Sequence, residues 1–161
     1  MLVYRKSEAC DVFAIHDLIA ERFGERPQAL QDIEGRYLLC FDGDRLVAMS
    51  GCNLSCNYNG LEIDWTCTTK EYEGKGIMTE LFRRVLDGVN EAVYCSCWHM
   101  ENLPECNLVR LMSRFGFVPV IKERLKHDTY HNNCASICVM CKGKERCRCC
   151  EDLYVKGEYL K

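Results

Sequence analysis

Leu61-Glu62-Ile63-Asp64-Trp65-Thr66-Cys67-Thr68-Thr69-Lys70-Glu71-Tyr72-Glu73-Gly74-Lys75-Gly76-Ile77-Met78-Thr79-Glu80-Leu81 is the stretch from which the fold is read. Its first half predicts a strand. Leu61, Ile63 and Trp65 alternate with Glu62, Asp64 and Thr66, and β-branched and aromatic residues are frequent. Its second half predicts an amphipathic helix. Ile77, Leu81, Val85 and Leu86 fall on one face, and Glu80, Arg83, Arg84 and Asp87 fall elsewhere. Between the two lies Glu73-Gly74-Lys75-Gly76. A strand that enters a helix through such a turn leaves backbone N–H groups unpaired at the positive end of the helix dipole. That arrangement suits a phosphate or pyrophosphate, and a side chain at either glycine would hold the anion off the backbone. The turn is not a P-loop, because no G-K-[ST] follows a four-residue spacer, and it lacks the third glycine of the dinucleotide fingerprint.

The flanking chain supplies the rest of an α/β order. Leu2–Arg5 is a short strand. Asp11 or Ser7 can cap a helix with the face Val12, Ile15, Leu18, Ile19 and Phe23, and Gly24 ends it. A second helical piece holds Ala29, Leu30 and Ile33. Tyr37–Phe41 and Arg45–Leu54 pair through the turn Asp42-Gly43-Asp44, and Leu61–Thr69 extends the meander. After the helix that starts at Gly74 come a strand at Ala92–Trp98, a helix at Glu105–Phe115, and strands at Phe117–Lys126 and Ala135–Lys142. Leu153-Tyr154-Val155 is apolar enough to add an edge strand or pack on the sheet.

Two motifs in this order resemble the GNAT superfamily of N-acetyltransferases. Glu71-Tyr72-Glu73-Gly74-Lys75-Gly76 is similar to the family's acyl-CoA motif [QR]-x-x-G-x-[GA], with both glycines matched and Glu71 in place of Gln or Arg. Arg114-Phe115-Gly116-Phe117 resembles the segment that closes the family's fourth helix and opens its sixth strand. The resemblance spans roughly residues 1–142 and leaves 143–161 as a cysteine-rich tail. It implies a mixed, mostly antiparallel sheet of six or seven strands flanked by about four helices and splayed at the acyl-CoA site. The implied activity is transfer of an acetyl group from acetyl-CoA directly to a primary amine of a small molecule or peptide.

That reaction needs a base, since an ammonium with a pKa near ~10.4 has no lone pair. The resemblance makes Glu62 the first choice, since counting back from Gly74 puts it where many members of the family carry a catalytic glutamate, and Asp64, on the same strand face, is the alternate. The resemblance places the backbone donor for the thioester oxygen near Thr66, Cys67 and Thr68. It places the cofactor on Glu73, Gly74, Lys75, Gly76, Ile77 and Met78, with Asn107 against the pantetheine arm. The family's thiolate-protonating tyrosine corresponds to Met112, a departure. His99, near where the acyl group would sit, reads as structural. His127, His131, Asp128 and Tyr130 border the loop that flanks the acceptor in the family. Two other readings compete: a non-catalytic acyl-CoA-binding module, and a metal- or redox-responsive protein acting through its tail.

Bulk composition narrows the class. The chain has 161 residues, 48% hydrophobic and 28% charged, with a formal charge of −3. That describes a globular domain with no basic excess for nucleic acid. No apolar run approaches the ~20 residues of a membrane span, and the N-terminus lacks a signal-peptide core. A cytoplasmic protein is expected, and a homodimer is left open. The 14 cysteines are the anomaly. Most of those up to residue 106 sit in apolar patterns and read as reduced, small hydrophobes. Cys138-x-x-Cys141 with Cys147 and Cys150 has the composition of a four-thiolate zinc site, though the pairs stand closer than in zinc ribbons. Lys142, Lys144, Arg146 and Arg148 would instead favour thiolate redox chemistry.

Overall fold

The computed structural model describes residues 1–24, 32–55, 58–100, 107–120 and 149–157. The chain divides into two units, Met1–Tyr94 with Gly157–Lys161, and Cys95–Lys156. Among the described residues there are seven strands and three α-helices. In sheet order the strands run first, second, third, fourth, fifth, seventh and sixth along the chain.

The first unit holds β1 (Leu2–Lys6), α1 (Val12–Phe23), β2 (Tyr37–Asp42), β3 (Arg45–Leu54), β4 (Leu61–Thr68) and α2 (Ile77–Val85), and β5 (Val93–Met100) begins in it. β1 to β4 form an antiparallel run, and β5 joins β4 in parallel. Strand alternation divides the side chains into two cores. Tyr37, Leu39, Phe41, Met49 and Cys67 pack with Ile15, Leu18 and Ile19 of α1. Cys40, Val47 and Ala48 pack with Ile77 and Leu81 of α2 on the other face. Burying such side chains stabilises by about 1.5–3 kcal/mol each, which holds both helices on the sheet.

Local chemistry explains most element ends. Gly24, at φ 74°, caps α1 with a bond from its N–H to Ala20 O at 2.9 Å. Neither expected N-cap side chain caps α1. Asp11 is drawn into a two-bond pair with Arg5, both at 2.7 Å, and also accepts the Glu8 N–H. Ser7 donates to Ile33 O and accepts the Tyr37 N–H at 3.1 Å, so it fixes the entry to β2. On α2 the buried face is Ile77, Leu81 and Phe82, with Val85 only half-buried.

The second unit holds the rest of β5, α3 (Asn107–Arg114), β6 (Val118–Pro119) and β7 (Cys149–Lys156). α3 closes with Phe117 N–H bonded to Met112 O at 3.1 Å and Gly116 N–H to Ser113 O at 3.2 Å. This doubly bonded helix end is why the Arg114–Phe117 sequence is so recognisable. Leu153, Tyr154 and Val155 are buried. Their strand is not at an edge: β7 stands between β5 and β6 in the strand order. Most of the second helical piece and the strand expected at 135–142 lie outside the described residues, as does the strand beyond Val120.

Candidate active site

β4 is interrupted by a bulge. Met49 faces Cys67 and Gly51 faces Asp64, so Ser50 alone stands against both Trp65 and Thr66. The extra residue is taken up at Trp65, whose φ is 33°. The bulge resets the alternation. Thr66 turns to the α2 face and pairs with Ser50 at 2.9 Å. Trp65 packs against the α1 core, on the same side as Asp64. Simple alternation puts Asp64 and Trp65 on opposite faces, and the bulge corrects that expectation.

Tyr37, Gly51 and Asp64 form one row across three strands. The missing side chain at Gly51 is what lets the tyrosine lie over the sheet, since a Cβ there would stand 2.8 Å from its ring. Tyr37 thereby reaches across β3 and donates its hydroxyl to Asp64 at 3.0 Å. Arg36 lies 3.7 Å from the same carboxylate. Burial raises the Asp64 pKa above the usual carboxylate value, against the lowering effect of Tyr37 and Arg36. Burial, reinforced by the Asp64 charge, raises the Tyr37 pKa as well. Glu62, two residues earlier on the same face, accepts a hydrogen bond from Ser55 Oγ at 2.7 Å. Strand alternation singles out Glu62 and Asp64 as candidates but not Tyr37 as the partner of Asp64, because a tyrosine at a strand start reads as core. The signal for it is Gly51, a glycine in mid-strand.

The chain leaves β4 through a one-turn helix at Lys70–Tyr72 and reaches the glycine turn. Gly74 and Gly76 have φ 73° and 78°, values that glycine adopts without strain, and nothing lies within 4 Å of where their side chains would be. Gly76 is the N-cap of α2 and offers no side-chain cap. The first backbone bond into α2 runs from Glu80 N–H to Gly76 O at 3.1 Å, so the N–H groups of Ile77, Met78 and Thr79 precede it. The two carboxylates of the turn are offset by arginines. Glu73 pairs with Arg22 and Glu71 with Arg45. Lys75 lies 4.5 Å over the Tyr72 ring. An open cradle of backbone N–H at a helix start fits a pyrophosphate.

A family model described as the acetyltransferase (GNAT) family matches residues 6–117. The chain belongs to that family. Solved structures of similar fold include GNAT-type enzymes of diverse acceptors. Diaminobutyrate acetyltransferase EctA from Paenibacillus lautus, in complex with L-2,4-diaminobutyric acid and coenzyme A, is 13% identical over 100% of this chain and 97% of its own, with a TM-score of 0.67. Arabidopsis thaliana NAA60, in complex with a bisubstrate analogue, is 16% identical over 97% of each chain, with a TM-score of 0.66. N-acetylglutamate synthase from Neisseria gonorrhoeae, with coenzyme A and N-acetyl-glutamate, is 13% identical over 97% of this chain, which spans 35% of that enzyme, with a TM-score of 0.63. Likeness at such identities carries the fold and not the acceptor. No protein of curated function matches the chain.

The remaining expected GNAT site residues divide as follows. Thr66, Cys67 and Thr68 complete β4 beyond Glu62↔Tyr94, the last register pair of β4 with β5 among the described residues. The Cys67 thiol is buried, and that burial pushes its pKa up to about 12. Asn107 opens α3, and its side chain lies outside what is described. Met112, at the tyrosine position, is fully buried. Cys138, Cys141 and Cys147 lie outside the described residues, and Cys150 is placed only as backbone of β7. His127, Asp128, Tyr130 and His131 also lie outside them, as does the side chain of His99. No helix among the described residues is long and apolar enough to cross a membrane.

Proposed function

We propose that the protein is an acetyl-CoA-dependent N-acetyltransferase that acetylates a primary amine directly. The observation that carries this reading is one continuous segment. β4 presents Glu62 and the desolvated Asp64 on one face, then runs into an uncapped helix start built on two left-handed glycines. Acetyl-CoA, as substrate, supplies an acetyl group activated as a thioester. Gly74 to Met78 would hold its pyrophosphate on backbone N–H groups and the α2 dipole. Backbone N–H groups in Thr66–Thr68 would face the thioester oxygen and stabilise the charge it gains.

The geometry favours Asp64 over Glu62 as proton acceptor. Burial has already raised the affinity of Asp64 for a proton, and Tyr37 fixes the carboxylate at 3.0 Å. An incoming ammonium gives its proton to Asp64 or to a water held there, and the free amine attacks. Glu62, two residues back on the same face of β4, would pass that proton on toward solvent. Met112 has no proton to give, so the departing thiolate takes one from solvent.

The test is acetyl transfer to a panel of amines, read by mass spectrometry of the product, since 14 cysteines would swamp a thiol-reactive dye. Asp64→Asn should lower kcat by about 10²–10⁴-fold with acetyl-CoA binding retained. Acetyl-CoA binding with no turnover on any amine would instead favour a non-catalytic acyl-CoA-binding module.

A further inference from the structure

We infer that Phe23 and Trp65 form an aromatic acceptor subsite beside Asp64, and that the acceptor is a primary amine carried on an apolar body. The inference rests on the acetyltransferase reading above and deepens it.

Phe23 ends α1 yet is not in the core that α1 builds: it is 48% exposed. Its ring stands edge-on to Trp65, with centroids 5.7 Å apart and planes at 69°. Trp65 is the less ordinary member. A bulky residue at φ 33° is strained, and such strain persists only where surrounding structure holds it. The bulge that creates the strain is also what turns Trp65 onto the face of Asp64. Two adjacent residues of one strand therefore present a carboxylate and an aromatic ring to the same space.

The chemistry of that space selects its occupant. The ammonium goes to Asp64, where the ring faces also favour a cation. The carbon body lies over Phe23 and Trp65, where its contact area is removed from water. A hydroxyl or a second ammonium lying over those two rings would lose part of its hydration. Glu62 defines the rival, a diamine whose second ammonium sits two residues back along β4.

The experiment compares hexylamine and benzylamine with ethanolamine and putrescine at saturating acetyl-CoA. Each methylene in an apolar pocket is worth about tenfold or more in kcat/KM. Hexylamine and benzylamine are therefore expected to exceed ethanolamine and putrescine by at least about tenfold. Phe23→Ala should raise KM for hexylamine about tenfold with kcat within about twofold, and Phe23→Leu should restore it. Binding is read separately by fluorescence in Trp98→Phe, which leaves Trp65 as the sole tryptophan. Hexylamine should quench or shift that emission at concentrations where ethanolamine does not. Equal or better turnover of putrescine or ethanolamine, or a hexylamine KM indifferent to Phe23→Ala, would overturn the subsite. If no amine is acetylated, the acetyltransferase reading fails by itself. The fluorescence arm then still decides whether Trp65 meets an apolar amine.

Discussion

The glycine turn offers the sharpest test, because its two costs separate. Gly76 has φ 78° and nothing within 4 Å of where a Cβ would stand, so an alanine there meets no atom. In the free protein Gly76→Ala should cost only the left-handed strain, about 1–2 kcal/mol, a fall in Tm of roughly 2–8 °C at about 2–4 °C per kcal/mol for a chain of this size. Acetyl-CoA at ~100 times its Kd should stabilise the wild type by about 2.7 kcal/mol, a rise of about 5–11 °C. The new methyl group projects into the space where backbone N–H must approach the anion. The ligand-induced rise should therefore shrink in Gly76→Ala and vanish in Gly76→Val. Differential scanning fluorimetry of reduced protein, with and without acetyl-CoA, measures both quantities. A full rise in Gly76→Val refutes the cradle. A loss in the free protein of Gly76→Ala beyond about 4 kcal/mol refutes the open space.

Three further outcomes follow from named contacts. Burial raises the Asp64 pKa in the fold, so its contribution favours the folded state below the unfolded pKa and is lost as pH rises through the folded one. Asp64→Asn should thus raise Tm at neutral pH, and the gain should shrink on acidification; thermal melts across pH check it. The reverse sign holds for Asp11, which the Arg5 hydrogen bonds hold below the usual carboxylate range. Arg5→Ala should cost about 1–2 kcal/mol at neutral pH, and the gap to wild type should close as pH falls below about 4, by urea titration at each pH. Cys10 is exposed, whereas Cys40, Cys52 and Cys67 have thiols pushed up by burial. Iodoacetamide on native protein followed by peptide mapping should modify Cys10 first among these four, and early labelling of Cys67 would contradict its packing.

Local pattern carried most of the elements. The β3 limits, the span of α1 and the strand-turn-helix at Leu61–Val85 were legible because alternation, helical periodicity and glycine punctuation act over a few residues. Phe82 was missed on α2 because the helix face it occupies is wider than a single stripe. β7 was underestimated for a different reason. An edge strand and an inner strand of similar sequence differ only in what pairs with them, and a distant segment decides that.

The resemblance to the family, the glycine turn and the two carboxylates on β4 were readable before folding, since each is carried by a short run of contiguous residues. Which face Trp65 joins, which carboxylate is desolvated and what holds it emerged with folding. Those depend on Ser50 facing two residues, on Tyr37 crossing over Gly51, and on α1 ending beside β4. Strand register and burial are properties of segments brought together by folding, and no window of neighbouring residues contains them.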